Sequence, residues 1–306
     1  MKDLLITHTD LDGISPIILM NLTKEKFEFK SIDINEVDDT LNELFANDLS
    51  IYRHIYIVDL TIPEVFYKTL DGLDNVLVFD HHETHLYATK YKCTTIKVKE
   101  YGHLTCGTEL FYNYLKSVYP HLDTPLIKDY VEIVRQCDTW DFTDAEFAKQ
   151  VGSLPFVYGK KDFIKSISKR LLKDKEKFEL TAFEKRYVKI QKEELDRYLK
   201  FKESKMVKYE INGYKVGVVF AEDHKSELGN YLSSNNLDLD LITIISSCER
   251  VSYRTVHDDV KCNKFAELVG GGGHQKASGS EMTQEFRDEI IKQYYKDVKR
   301  LENEEI

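Results

Sequence analysis

Short apolar runs alternate with amphipathic stretches over the first ~140 residues. This alternation is typical of a parallel sheet flanked by helices, because each parallel strand is joined to the next by a crossover helix. The runs are rich in Val, Ile, Leu, Tyr and Phe, as buried strands are. They predict four strands: Leu4 to Thr7, Phe27 to Ile32, His54 to Val58 and Asn75 to Phe79. The pattern therefore predicts an N-terminal α/β domain with a mainly parallel sheet.

A polar segment follows the first predicted strand and is expected to join it to a helix. The segment runs from His8 to Gly13 and is followed by Ser15 and Pro16. Ser is a frequent N-cap and Pro suits the first turn of a helix. The helix is therefore predicted to begin at this pair.

The pattern changes in the second half of the chain. From Thr181 to Lys205 the residues are largely charged, with apolar ones spaced as on one helix face, which predicts a connecting helix. Beyond it the pattern predicts three strands and a closing helix: Tyr214 to Phe220, Leu239 to Ser246, Arg250 to Val256 and Glu285 to Leu301. We predict a first domain over 1–180, a connecting helix over 181–205 and a smaller C-terminal α/β domain over 206–306.

The composition is that of a globular protein with an acidic balance. Hydrophobic residues make up 42% of the 306 residues, which is enough for sizeable cores. The formal net charge is −10. Proteins that grip long nucleic acid neutralise many phosphates with Lys and Arg, so this charge argues against such a partner. Any nucleic-acid substrate is therefore expected to be short.

The cysteines and the N-terminal segment indicate the cellular compartment that we expect for the protein. The five cysteines are scattered, odd in number and never in a C-x-x-C pair, so neither a disulfide framework nor a zinc knuckle is predicted. The chain reaches polar residues directly after its start, which predicts neither a signal peptide nor a membrane span. We expect a soluble cytoplasmic protein without a membrane partner. Both a monomer and a homodimer are compatible with the sequence.

Acidic residues and histidines follow three of the predicted strands directly. They are His8, Asp10 and Asp12 after the first strand, Asp59 after the third, and Asp80, His81 and His82 after the fourth. The ends of parallel strands converge on one edge of a sheet, so these groups are expected to meet there. A single Asp after a strand is usually a turn or cap residue. Two carboxylates and an imidazole within five residues would repel one another without a cation between them, so the set predicts a metal site.

A fourth acidic element follows the amphipathic stretch Leu126 to Val134. It supplies a further acidic residue, Asp138, whereas Asp141 is equally compatible with a helix cap and is not expected to bind a metal. Cys137 lies beside Asp138 and has no basic neighbour in the sequence. We therefore expect Cys137 to be a small buried residue and not a nucleophile.

Four consecutive glycines, Gly270 to Gly273, follow the helix-like stretch Lys264 to Val269. A helix C-cap needs only one glycine, and every further glycine adds to the entropic cost of folding. Four in a row favour a loop whose N–H groups approach an anion closely, with His274 and Lys276 adding donors. Arg254, on a predicted strand, is equally compatible with a phosphate contact and with an ordinary surface position.

Taken in order, these motifs resemble a known family. H-x-D-x-D-G, an isolated Asp after a strand, D-H-H and a later Asp resemble the four motifs of the DHH phosphoesterases. G-G-G-G-H-x-x-A-S-G, preceded by S-x-R, resembles the companion C-terminal DHHA1 domain. The likeness spans nearly the whole chain and is strongest with the nano-RNase and oligoribonuclease branch, which also includes 3′,5′-bisphosphonucleotide phosphatases. Thr7 departs from the pattern, since serine is common at its position.

The resemblance implies a two-metal site. One cation would be held by His8, Asp10 and Asp59, and a second by Asp12, Asp59, His81 and Asp138, with Asp59 bridging the two. The cations are expected to be manganese, with magnesium or cobalt as alternatives, because the ligand set mixes imidazole with carboxylate. His82 would face the substrate phosphate and Asp80 would orient the neighbouring histidines.

The resemblance also implies how the second domain binds substrate. The nucleotide or its terminal phosphate would be held by Arg254, Gly271, Gly272, Gly273 and His274. The expected function is a manganese-dependent phosphodiesterase or exoribonuclease, which cleaves dinucleotides to a few nucleotides of RNA or DNA with water that two cations activate.

Several other functions compete with this one. The alternatives within the family are a 3′,5′-bisphosphonucleotide phosphatase, which would act on mononucleotides, and a soluble phosphodiesterase for cyclic dinucleotides. An inorganic pyrophosphatase is disfavoured by the glycine-histidine segment, and a processive exonuclease by the lack of a further oligonucleotide-binding domain and a basic channel. A catalytically inactive nucleotide-binding module is disfavoured because all six metal residues are present.

Overall fold

The structure of the chain is a computed structural model, and it describes residues 1–141, 143, 145–246 and 250–296. The chain divides into two compact units, unit 1 (Met1–Val188) and unit 2 (Lys189–Ile306). The domain limits predicted at 180 and 205 stay a prediction. Among the described residues, no helix combines the length and the apolar character that crossing a bilayer requires.

Unit 1 contains a five-stranded sheet in the order β2-β1-β3-β4-β5 with every pairing parallel. The predicted α/β class and the four predicted strands are therefore confirmed. In chain order its elements are β1 (Lys2–Thr7), α1 (Leu11–Thr23), β2 (Phe27–Ser31), α2 (Val37–Phe45), β3 (Tyr52–Val58), α3 (Glu64–Leu70), β4 (Val76–Asp80), β5 (Thr94–Ile96), β6 (Lys99–Glu100), β7 (His103–Leu104), α4 (Gly107–Val118), α5 (Pro125–Thr139), α6 (Ala145–Tyr158) and α7 (Lys160–Leu171).

The sheet of unit 1 is covered on both faces, because successive side chains of a strand point to opposite sides. In β1, Leu5 belongs to one apolar core, which also contains buried residues of α1, α4, α5, α6 and α7. Leu4 and Ile6 belong to a second core with residues of α2 and α3. The near-continuous apolar runs of the sequence are thus explained by burial on both faces.

The first helix begins earlier than the sequence predicts. It starts at Leu11, with Asp10 as the N-cap whose carboxylate accepts the Gly13 N–H at 2.9 Å. The predicted start at Ser15 and Pro16 is wrong, since both residues lie within the helix. Proline has no N–H, so Pro16 cannot donate to the Asp12 carbonyl as a helical residue normally would. The Thr108 hydroxyl donates to that carbonyl instead, at 2.6 Å, and the proline is therefore tolerated.

A helix, α8, spans Ala182–Lys205 and contains the division between the two units. Unit 2 is built on a six-stranded sheet in the order β12-β13-β11-β10-β9-β8. Its elements are β8 (Val207–Ile211), β9 (Tyr214–Phe220), α9 (Lys225–Asn235), β10 (Leu241–Ser246), β11 (Arg250–Arg254), α10 (Cys262–Glu267), β12 (Gly272–Gly273), β13 (Ala277–Glu281) and α11 (Gln284–Tyr295).

The strands of unit 2 show what the apolar pattern can and cannot predict. The three predicted strands correspond to β9, β10 and β11. The pattern missed β8, which alternates charged and apolar residues at a sheet edge, and β13, which is made of small and polar residues. The closing helix is described to Tyr295, and its predicted end at Leu301 lies outside the described residues.

Candidate metal centre

The strand order of unit 1 places the candidate ligands together. The order reverses at β1, so β1 and β3 flank the switch point at which ligands bind in open parallel sheets. His8 follows β1, Asp59 follows β3, and His81 follows β4. Asp138, near the end of α5, lies 3.4 Å from His81. All six residues predicted as metal ligands are thereby brought to one edge of the sheet.

These residues form two groups whose ligand atoms lie within 4.8 Å of one another. The first consists of His8, Asp10 and Asp59, and the second of Asp12, His81 and Asp138. A further combination at the same spacing consists of Asp59, Asp80, His81 and His82.

Asp59 lies between the first two groups. Its Oδ2 is 3.8 Å from His8 Nδ1 and its Oδ1 is 3.4 Å from His81 Nε2. The two oxygens of one carboxylate thus face different groups. The backbone of Asp59 is left-handed, with φ at 59°, a conformation that Asp and Asn tolerate better than most residues.

The buried polar atoms of this centre fit divalent cations. Asp59 Oδ2 and His81 Nε2 are both buried and have no hydrogen-bond partner in the part of the chain that the structure describes. A buried polar atom without a partner is costly, and coordination to a cation would remove that cost. The donor set of imidazole nitrogens and carboxylate oxygens is one that manganese and similar ions accept.

The charges of the centre also favour bound cations. Burial, together with the charges of Asp12 and Asp10, holds the pKa of Asp59 well above its usual range. Burial and the same two neighbours raise the pKa of Asp138 to about 8. Carboxylates packed this closely need protons or cations to compensate their repulsion. Divalent cations would fill this need without protonating the ligands.

Asp12 is held rigidly by the start of α4. Its Oδ2 accepts the Gly107 N–H at 2.7 Å and its Oδ1 accepts the Thr108 N–H at 2.8 Å. The first N–H groups of a helix have no partner within the helix and favour a negative charge. A side chain at position 107 would collide with the centre, since a Cβ there would lie 2.8 Å from Asp59 Cβ and 3.0 Å from Asp12 Oδ2.

Asp80 links two histidines beneath the centre. It is fully buried, and its Oδ1 lies 2.8 Å from His82 Nδ1 while its Oδ2 contacts His85 Nδ1. Burial opposes the charge of Asp80, but the hydrogen bonds with His82 and His85 outweigh it and hold the pKa of this carboxyl below its usual value. Asp80 is therefore an acceptor, and both histidines donate through Nδ1.

Sequence reasoning missed His85 and Gly107. The Nε2 of His85 accepts the Ile62 N–H at 3.2 Å and lies 2.6 Å from the Tyr67 hydroxyl, so both ring nitrogens have hydrogen-bond partners. His85 lies in a 3₁₀ helix, Glu83–Lys90, three residues beyond D-H-H. A third histidine so close to the motif is the signal that could have found it, whereas nothing in the local sequence distinguishes Gly107.

His85 is expected to contribute to stability, and its neighbour His82 much less. His85→Ala would leave the buried Tyr67 hydroxyl and the Ile62 N–H without their partner and would remove one hydrogen bond from Asp80, so the free energy of unfolding should fall by about 2–4 kcal/mol. His82→Ala removes a bond to the same carboxylate from a side chain that is 41% exposed, and should change stability far less. Urea unfolding of the metal-free proteins compares the two. Equal stability of the two variants would contradict the assignment.

The residues beside Asp138 are engaged elsewhere. Cys137 Sγ donates to the Ala148 carbonyl at 2.9 Å, and burial raises the pKa of its thiol to about 12. The residue is partly buried, less than predicted, and a thiol with a raised pKa is a weak nucleophile. Asp141 forms an ion pair with Arg135 at 3.1 Å.

In unit 2, two of the four glycines cap a helix. The Gly270 N–H donates to the Glu267 carbonyl and the Gly271 N–H to the Ala266 carbonyl, with φ of Gly270 at 75°. This is the Schellman pattern that ends helices. Part of the glycine run, which the sequence assigned to anion binding as a whole, therefore has a structural role.

The remaining glycines line an open concavity of about 740 Å³ on unit 2. Gly273 has φ at 133° and packs against Ser278, whereas a Cβ at Gly272 would meet nothing within 4 Å. Arg254 and Gly271 also line the concavity, but His274 is not among its lining residues. Arg254 is half-buried, forms no ion pair within the described ranges, and has its pKa lowered by burial. An anion would compensate this cation.

The parallel sheet, the ordered motifs and the two groups of ligands together define a class of enzyme. The chain belongs to the DHH/DHHA1 phosphoesterases and is a hydrolase that acts on phosphate ester bonds. Among curated proteins it is similar to oligoribonuclease NrnB of Bacillus subtilis (strain 168), with 31% identity over 303 residues, 95% of this chain and 76% of that protein. No family model matches the chain.

Solved structures add to the comparison. The pGpG-specific phosphodiesterase PggH from Vibrio cholerae aligns over 98% of this chain and 99% of its own, with a TM-score of 0.52 and 11% identity, which shows a shared fold. Exonuclease RecJ bound to manganese aligns over 95% of this chain and 88% of its own, with a TM-score of 0.48 and 11% identity.

Proposed function

We propose that this chain is a manganese-dependent phosphodiesterase that hydrolyses very short oligonucleotides, from dinucleotides to a few nucleotides. The observation that carries the proposal is the position of Asp59, whose two oxygens face two separate groups of ligands. The substrate class rests on the similarity to an oligoribonuclease along nearly the whole chain. The net charge of −10 supports short substrates, since long nucleic acid would require many phosphate contacts.

In this proposal the six predicted residues hold two cations. His8, Asp10 and Asp59 would hold one, and Asp12, Asp59, His81 and Asp138 the other. When bound, such a pair of cations supplies an activated water and neutralises phosphate oxygens. The helix start at Gly107 orients Asp12 before any cation binds, because two backbone N–H groups donate to its carboxylate.

His82 is the proposed proton carrier. Its Nδ1–H is committed to Asp80, so Nε2 is the nitrogen that can exchange a proton with the substrate. The hydrogen bond to Asp80 raises the pKa of His82, because it favours the charged ring. A partly protonated ring beside the centre can donate to the leaving oxygen. Asp80 acts by orienting His82, and His85 orients Asp80 in turn.

The concavity of unit 2 is the proposed site for a substrate phosphate. Arg254 would supply a bidentate contact and the backbone at Gly272 would approach the phosphate closely. The amides of Gly270 and Gly271 donate within the chain. The Gly272 amide pairs with Gly279 in the β12–β13 ladder, so Gly273 supplies the amide for the phosphate, and Gly272 allows close approach because it has no side chain. His274 remains a predicted contact, although it does not line this surface.

Alanine substitutions at adjacent glycines separate binding from folding. Gly272→Ala adds a methyl group in open space, so the melting temperature should be unchanged while KM for a dinucleotide rises about tenfold. Gly271→Ala places its Cβ 2.3 Å from the Gly279 carbonyl oxygen and should destabilise unit 2. Thermal unfolding and steady-state kinetics measure both. An unchanged KM for Gly272→Ala would remove this glycine from the proposed site.

The experiment that tests the function compares substrates in the presence of Mn²⁺. The panel is a labelled RNA dinucleotide, a five-nucleotide RNA, a long RNA, 3′,5′-bisphosphoadenosine and a cyclic dinucleotide. We expect the two short RNAs to be cleaved far faster than the long strand, and chelation to abolish cleavage. Turnover of only the bisphosphonucleotide or the cyclic dinucleotide would overturn the short-RNA assignment. Nucleotide binding without any turnover would overturn the enzymatic one.

A further inference from the structure

The strand β8 forms an edge of the sheet of unit 2 with an uncovered apolar face. All five of its residues are exposed. Val207, Tyr209 and Ile211 share one face, and their exposed fractions are 51%, 52% and 48%. On the neighbouring strand β9, the residues opposite Tyr209 and Val207 belong to the apolar cluster around α10. The apolar face of the sheet therefore extends one strand beyond its cover.

The hydrogen-bonding groups of two residues of β8 point away from the sheet. The hairpin between β8 and β9 turns at Asn212 and Gly213, both with positive φ, as in a type I′ turn. In such a turn the backbone N–H and C=O of Ile211 are bonded to β9. Because hydrogen-bonded and non-hydrogen-bonded pairs alternate along an antiparallel ladder, the backbone N–H and C=O groups of Lys208 and Glu210 face outwards.

Contacts on the far side of β9 support this alternation. Lys215 is the residue opposite Glu210. Its N–H donates to the Asp240 carboxylate at 2.7 Å and its carbonyl accepts the Asp240 N–H at 2.8 Å, both away from β8. Glu210 is therefore not bonded to Lys215, and its own N–H and C=O are directed to the open edge.

The sequence of β8, Val-Lys-Tyr-Glu-Ile, complements itself when reversed. In an antiparallel pair with a twofold axis at Tyr209, each Lys208 lies opposite Glu210 of the partner subunit, and each Val207 lies opposite Ile211 of the partner subunit. Residues 208 and 210 are the outward-facing ones, so the two symmetric Lys208–Glu210 pairs are hydrogen-bonded pairs, whereas Val207 and Ile211 meet through their side chains. This one register therefore places opposite charges together, places apolar side chains together and pairs the free backbone groups of both strands.

We propose that β8 is the contact surface for a second copy of this chain, joined by antiparallel pairing of the two β8 strands about Tyr209. Two six-stranded sheets would then form one continuous sheet. Many edge strands resist pairing through charged side chains, especially Lys, which repel the like charges of a second copy. Here the Lys and Glu of one strand attract those of the other. This inference does not depend on the proposed function.

The interface is small, so association depends on concentration. A single five-residue strand from each subunit buries less surface than a permanent dimer requires, which corresponds to micromolar dissociation. The full-length protein should therefore change from monomer to dimer between about 1 and 100 µM in sedimentation equilibrium.

Charge reversal tests the register. Lys208→Glu places Glu opposite Glu at two symmetric positions, and Glu210→Lys places Lys opposite Lys, so each variant should raise the dissociation constant about tenfold. The double variant Lys208→Glu/Glu210→Lys restores both pairs and should dimerise like the wild type. Lys208 also forms an exposed ion pair with Asp238 at 3.0 Å. Asp238→Asn is the control that removes this pair and leaves the dimer unchanged.

A proline tests the backbone pairing independently. The Glu210 N–H points outwards, so Glu210→Pro leaves the β8–β9 ladder intact but removes a donor from the interface. We expect this variant to be monomeric, with wild-type thermal unfolding and wild-type hydrolysis at dilute concentration. A wild type that stays monomeric over the whole range would overturn the proposal. So would a dimer that the single charge reversals do not weaken, or one that the double variant does not restore.

Discussion

Asp59→Asn is expected to lower kcat by roughly 10⁴-fold or more, because its carboxylate faces both groups of ligands and its loss would affect both cations. Asn is the appropriate substitution, since it tolerates the left-handed backbone at this position, where φ is 59°. Asp59→Ala should be equally inactive. Single-turnover hydrolysis of an RNA dinucleotide with saturating Mn²⁺ measures the effect.

The same variant has a second expected effect that does not depend on activity. The raised pKa of Asp59 means that the folded metal-free protein disfavours its charge. The sign follows from linkage: the folded state holds the proton more tightly than the unfolded state, so wild-type stability falls as pH rises above the unfolded pKa. At neutral pH the metal-free Asn variant should therefore be at least as stable as the wild type. Mn²⁺ should stabilise the wild type strongly and the variant little.

Asp74→Asn is the matched control, because this side chain is 97% exposed and precedes β4, whereas His81 follows the other end of that strand. It should match the wild type in kcat, in melting temperature and in the response to Mn²⁺. If Asp59→Asn behaved like this control in both measurements, the proposed bridging role of Asp59 would be refuted.

Gly107→Ala should lower kcat about 100-fold or more, although residue 107 offers no side chain to the reaction. The added methyl carbon would lie 2.8 Å from Asp59 Cβ and 3.0 Å from Asp12 Oδ2, so the start of α4 or the two carboxylates must move. A displacement of about 1 Å at a reaction centre can cost 100-fold in rate. The N–H of residue 107 also holds Asp12, so the affinity for Mn²⁺ should fall together with the rate.

Calorimetric titration of Mn²⁺ and steady-state kinetics test this prediction together. Gly152→Ala is the matched control, because it makes the same change within the helix α6 and its Cβ would lie 3.4 Å from Cys137 Sγ. That variant should bind Mn²⁺ as the wild type does. Unchanged Mn²⁺ affinity in Gly107→Ala would show that the close approach to Asp12 and Asp59 does not matter for the centre.

Much of unit 1 followed from the sequence by itself. Strands buried on both faces are continuous apolar runs, so β1, β3 and β4 were evident, and the polar residues directly after them had to lie at one edge of a parallel sheet. The motifs from His8 to Asp138 carry the family resemblance, and the 31% identity to an oligoribonuclease agrees with it. These features are local in sequence, which is why pattern and spacing reveal them.

Other features were decided only by the tertiary structure, because they depend on residues that are distant in the chain. The Asp12 carboxylate is held by Gly107 and Thr108, and His85 belongs to the centre only through Asp80, Tyr67 and the Ile62 N–H. Two residues, Asp10 and Ser15, could cap the start of α1, and the structure shows Asp10 as the cap. Pro16 can then lie inside the helix because the Thr108 hydroxyl donates to the Asp12 carbonyl.

The glycine run and the strand β8 show the same limit in unit 2. Composition could not distinguish Gly270 and Gly271, which end a helix, from Gly272, which the fold itself does not require. Nor could it reveal that β8 lies at an edge with Lys208 and Glu210 directed outwards, since edge position and hydrogen-bond direction follow from strand order. The sequence by itself determined which polar residues follow the strands and meet at the candidate centre; the packing of distant segments decided which backbone groups hold them and which surface stays open.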